Sequence, residues 1–98
     1  MSPDPDILQA IQNINDPELG IGIVDLGLVY RAERTAERID VDVTLTTPSC
    51  PLGEMIVEEI RCALEQRFPE GPPVHVELVW EPKWSPERMS ETARQLMA

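Results

Sequence analysis

The sequence predicts an α+β fold, a two-layer sandwich in which a small mixed three-stranded sheet carries helices on one face. Three observations lead there. "IDVDVTLT" (39–46) and "VHVELVW" (74–80) alternate apolar and polar residues with the period of a strand. Between them, from Pro51 to about Arg67, the period becomes helical. Helical patterns also open and close the chain, giving the order α-β-β-α-β-α within a single domain over residues 1–98.

Ile7, Leu8, Ile11 and Ile14 recur at helical spacing, with Asp4 placed as N-cap and Pro5 at the first helical position. "NDPELGIG" then ends the helix with Asn, Asp, Pro and two glycines. "LVYRAER" (28–34) reads as a strand, joined to the next through the short link "TAER". In that next strand Ile39, Val41, Val43 and Leu45 point one way and Asp40, Asp42, Thr44 and Thr46 the other, which predicts a sheet with one wet face. Leu52, Ile56, Ile60, Ala63 and Leu64 line one side of the central helix, and "FPEGPP" stops it. Val74, Val76, Leu78 and Trp80 share one side of the third strand. The last helix is expected to begin at Ser85 and Pro86, with Met89, Ala93, Leu96 and Met97 as its apolar side.

A chain of 98 residues hides roughly 60–65% of its unfolded-state surface, enough for one modest core but not for a deep substrate cavity. Eight Lys plus Arg against eighteen Asp plus Glu leave a net charge of −10. With no basic patch, nucleic acid and anionic membrane are excluded as partners on electrostatic grounds. No apolar run approaches the ~18 residues of a membrane span. "MSPDPDILQA" has neither the basic region nor the apolar core of a secretory signal, so two reduced thiols in the cytoplasm are expected.

The chemistry centres on "TTPSCPLGEM" (46–55), where strand gives way to helix. Cys50 would occupy the N-cap position of a helix starting at Pro51. Unpaired N–H groups and the positive end of the helix dipole there favour a thiolate. Pro48 and Pro51 would stiffen the loop. The competing role for Cys50 is a small side chain plugging that loop. Cys62, mid-helix at the flank of the apolar side, is expected to pack. Closed zinc sites need four ligands, and neither C-x-x-C nor H-x-x-x-H spacing occurs. His75, the one histidine, is expected to be solvated beside Glu77. A cysteine hydrolase would need a base beside Cys50, from His75 or from Asp16, Glu18 or Asp25. Asp16 also suits a turn cap, and Gly27 a positive φ before the strand.

In series, Asp16-Pro17-Glu18, Asp25-Leu26-Gly27, then Thr46, Pro48, Cys50 and Pro51, and lastly Trp80, Pro82, Trp84 and Met89 resemble the PaaD/SufT-like family, which is associated with iron–sulfur cluster assembly. The motifs fall in the family's order along nearly the whole chain. The resemblance implies the small fold of iron–sulfur assembly domains. It implies an accessory protein rather than an enzyme, handling a transient iron–sulfur cluster or iron through Cys50, with none permanently bound. Asp16, Glu18, Asp25, Gly27, Thr46, Pro48 and Pro51 would support the cysteine loop, and Trp80 and Trp84 would pack the last helix onto the sheet. Carrier or client proteins are the implied partners. A homodimer follows only if a cluster is bound, because one thiol per chain cannot complete its coordination. Two other roles fit the same residues. One is a dedicated maturation subunit of a multicomponent aromatic-ring oxygenase of the phenylacetate type. The other is a pure protein-interaction module in which Cys50 only packs.

Overall fold

The computed structural model describes residues 4–16, 19–45 and 53–97. Its elements run α1 (Pro5–Ile11), β1 (Val29–Arg34), β2 (Ile39–Val43), α2 (Gly53–Arg67), β3 (Val74–Leu78), a 3-10 turn (Pro86–Arg88) and α3 (Glu91–Met97). The sheet order is β1-β2-β3, with β1 antiparallel and β3 parallel to β2. The mixed three-stranded sheet and the element order are those expected from the sequence.

Each element follows from local chemistry. Asp4 Oδ1 accepts from the backbone N–H groups of Asp6 (2.8 Å) and Ile7 (3.3 Å), satisfying donors that a helix start leaves open. α1 then buries Ile7 and Ile11. At the hairpin, Thr35 Oγ1 accepts from the N–H groups of Glu37 (3.2 Å) and Arg38 (3.1 Å), closing "TAER" as a self-bonded turn. In α2, Ile56, Ile60 and Leu64 are four residues apart and fully buried. Burying each such side chain contributes about 1.5–3 kcal/mol. These residues, with Ile7 and Ile11, close one core against Ile39, Val41 and Val43. Glu58, Arg61 and Glu65 form an ion-pair ladder on the solvent side of α2.

Two expectations fail. The far face of β2 is not wet: Asp40 is 5% exposed and Thr44 1%. β2 is the central strand, and Arg38 (2.8 Å) and Arg31 (3.7 Å) reach across to pair with Asp40 from neighbouring positions. Alternation gave the facing of each side chain correctly but carried no information about what the neighbours cover.

The C-terminal segment is not one helix. After the 3-10 turn, Met89 is extended (φ −68, ψ 144) and α3 starts at Glu91. Ser85 makes no capping hydrogen bond, whereas Ser90 Oγ accepts from Ala93 N at 3.1 Å. Starting later changes the phase. Met89 reaches the core from an extended stretch, Ala93 is buried, and Leu96 is left 66% exposed. Among the described residues no helix is long and apolar enough to cross a membrane.

Candidate functional site

Cys50, Thr46, Pro48, Pro51 and Glu18 lie outside the described residues, so the expectations placed on them rest on the sequence. The flanks of the 46–52 link are described. Leu45, just after β2, is 3% exposed, and Gly53, the first residue of α2, is buried. A Cβ placed on Gly53 would lie 2.9 Å from Leu78 Cδ2 and 3.1 Å from Leu45 Cδ1. The two residues that flank the link are therefore neighbours, and no larger residue fits at Gly53 without displacing Leu78 or Leu45.

Both residues sit at the end of the sheet where β1 begins and β2 and β3 finish. Thr44 N donates to Leu28 O and Val79 N to Val43 O, each at 2.8 Å. The 14–28 connection enters β1 at this same end, which brings part of the predicted support together.

Asp16 is a turn residue, as expected. It is 2% exposed, its Oδ1 accepts from Leu19 N (3.1 Å), its carbonyl accepts from Gly20 N, and its N–H donates to Ile21 O. An Asn15–Gly22 bridge closes the turn.

Asp25 and Gly27 do something the sequence did not suggest. Asp25 holds Ser90 twice: its Oδ1 accepts from Ser90 Oγ at 3.0 Å and its carbonyl from Ser90 N at 2.7 Å. Gly27 has the positive φ expected of it, +76°. The stronger demand is space, because a Cβ there would lie 2.2 Å from the Arg88 carbonyl oxygen. Trp84 Nε1 donates to Leu26 O at 2.7 Å, and the Arg88 guanidinium lies 4.5 Å over the Tyr30 ring. The 84–90 segment is thus clamped onto residues 25–27. The available signal for Ser90 was the pattern Ser-Glu-Thr-Ala, a cap followed by a helix start.

The tryptophans divide: Trp84 packs against the core as expected, while Trp80 is 41% exposed. Cys62 also departs from expectation. It is exposed, with Sγ 3.9 Å from Glu58 Oε1, because it falls on the solvent-facing side of α2 beside the charge ladder rather than at the core edge. The hydrogen bond from Arg61 holds the Glu58 carboxyl below its ordinary pKa. His75 and Glu77 are exposed on β3, as expected. Among the described residues no three His, Cys, Asp or Glu side chains are grouped to hold a metal ion.

Comparison with known proteins adds a family to this geometry. The profile of the family described as "Iron-sulfur cluster assembly protein" matches residues 4–78. The Fe-S protein maturation auxiliary factor YitW of Bacillus subtilis is 39% identical over 89 residues, covering 90% of this chain and 86% of the relative. The Fe-S protein maturation auxiliary factor SufT of Staphylococcus aureus is 42% identical over 80 residues, covering 81% and 90%. The crystal structure of a domain of unknown function, DUF59, from Bacillus anthracis superposes with a TM-score of 0.87 at 35% identity, covering 93% of this chain and 87% of the other.

Proposed function

The chain belongs to the iron–sulfur cluster assembly protein family, and from that premise we propose that it is an accessory factor that helps assemble iron–sulfur clusters or pass them to client proteins. The observation that carries this reading is identity near 40% over most of the chain with two proteins named for iron–sulfur maturation. The cluster, or its iron, is cargo. Cys50 acts on it as a transient thiolate ligand. The sequence sets Cys50 three residues ahead of Gly53, on the approach to the start of α2, where helix N–H groups favour negative sulfur.

One thiol leaves the cargo's coordination incomplete, so the remaining ligands come from a carrier, a client or a small thiol, and the cargo is free to move on. Asp16, Glu18, Asp25, Gly27, Thr46, Pro48 and Pro51 shape the surface around that exchange. The setting is cytoplasmic and the role is that of a helper, not a catalyst of its own turnover. The general role is favoured over a subunit dedicated to one oxygenase, because both maturation relatives are named without reference to a single client.

Two measurements test it. Iodoacetamide labelling across pH should be done on a Cys62→Ser background, since Cys62 is exposed and would report in parallel. Cys50 should react with a midpoint below the ~8.5 of a free thiol. In anaerobic transfer to an apo-client, Cys50→Ser should lose about tenfold or more in rate and Cys62→Ser should match wild type. Equal transfer by Cys50→Ser and wild type would remove the thiolate from the mechanism.

A further inference from the structure

The sheet has two edges, and they are treated differently. Along β1, Ala32 O accepts from Asp4 N, and Arg34 is held by Asp4 and Asp6, so the N-terminal segment covers part of that edge. β3 lies at the other end of the strand order, with its substantial contacts to β2 and α2 alone. Its ladder bonds come from Pro73 O, which accepts from Ile39 N, and Val79 N, which donates to Val43 O. In a parallel ladder that parity turns residues 73, 75, 77 and 79 toward β2 and sends the N–H and C=O groups of Val74, Val76 and Leu78 outward. Among the described residues none of those three makes a further backbone hydrogen bond.

We propose that this edge is an interface for a second copy of the chain, with β3 pairing antiparallel to its partner about a two-fold axis at Val76. The outward groups meet in register. Val76 faces the partner's Val76, and Val74 faces the partner's Leu78, as mutually hydrogen-bonded pairs. His75 then stands opposite the partner's Glu77, and Glu77 opposite the partner's His75. These are non-hydrogen-bonded pairs, whose Cα atoms are about 4.5 Å apart with side chains in close reach.

The side chains select this register over its neighbours. Shifted one way by two residues, His75 faces the partner's His75, and Leu78 meets the partner's Pro72, which has no N–H to give. Shifted the other way, Glu77 faces the partner's Glu77, a like-charge pair. Within one chain Glu77 already lies beside Asp42 in the β2–β3 register. The partner's imidazole supplies a hydrogen-bond donor at a position that its own chain crowds with carboxylates. Pro72 and Pro73 end the pairing at one side, so the strand contact is short.

The two-fold also sets the spacing of the two α2 starts. Gly53, the first residue of α2, packs on its own chain's Leu78, and the two Leu78 residues stand roughly 13 Å apart along the paired strands. The two α2 starts therefore sit on opposite sides of the axis.

Sedimentation velocity on the reduced, metal-free full chain tests the proposal without any step through Cys50, so its failure is separable from failure of the assembly role. So short a contact should give a weak dimer, with Kd on the order of 10–100 µM. His75→Glu puts carboxylates opposite each other twice and should weaken association about tenfold or more. The double change His75→Glu/Glu77→His restores opposite partners and should return Kd to within about threefold of wild type. Both residues are exposed, so the monomer's circular dichroism should not change. A chain that stays monomeric throughout overturns the proposal. So does a dimer indifferent to His75→Glu, or one that the double change fails to rescue.

Discussion

Gly27 and Gly20 both have positive φ, +76° and +69°, yet they face opposite surroundings. A Cβ on Gly20 would meet nothing within 4 Å, whereas one on Gly27 would collide with the Arg88 backbone. Gly20→Ala should therefore cost only the backbone strain, about 1 kcal/mol. Gly27→Ala must also push away the 84–90 segment, and should cost about 2–4 kcal/mol. Urea unfolding of the two variants measures the difference; equal losses would mean that the close approach of Arg88 is not a constraint. The turn role of Gly27 was legible because a glycine before a strand start has few other uses. Its contact with Arg88 was not, because nothing local relates residues sixty-one positions apart in the chain. Cys62 was misread for a similar reason. Its place near the apolar side was visible, but a residue at that angle is covered only if something packs over it.

Among the elements, α1 was read from its period and cap and α2 from its period, which are local facts. The C-terminal segment was harder, since it offers two serines that each precede a helix-compatible run, and sequence does not rank them. The structure does: Ser90 caps Ala93 N and binds Asp25, while Ser85 caps nothing. Ser90→Ala should lose about 1–2 kcal/mol, and Ser85→Ala no more than about 0.5 kcal/mol. Thermal melts of the pair decide it, and the reverse order would return the helix start to Ser85. The profile match ends at Leu78, yet the clamp contributed by residues 84–90 seals Leu26 and Gly27 at the end of the sheet that carries the cysteine link. This part of the support is supplied by an element whose sequence pattern alone suggested only packing.

For the molecule as a whole, charge dominates. A net charge of −10 on 98 residues repels itself, and screening should relieve this. Stability should rise with added salt, with a melting temperature a few degrees higher at ~0.2 M than at low ionic strength. A fall on salt addition would mean that the Asp40, Glu33 and Glu58 ion pairs outweigh the repulsion. The acid limb has the opposite cause. Glu33 and Glu58 have pKa values lowered by hydrogen bonds from Arg31 and Arg61, so each favours the folded state above its unfolded pKa. That contribution fades as pH falls through the folded values, and it is small because Glu58 is exposed and Glu33 pairs with an Arg31 open to solvent.

Leu45 and Gly53 lie close together, so the start of α2 docks where β2 ends. There the sheet and α2 meet through Leu45, Leu78 and Gly53. Gly53 is consequently the set-screw of that joint: the absence of one methyl group fixes how deeply the helix seats against the sheet, and any side chain there would back it out.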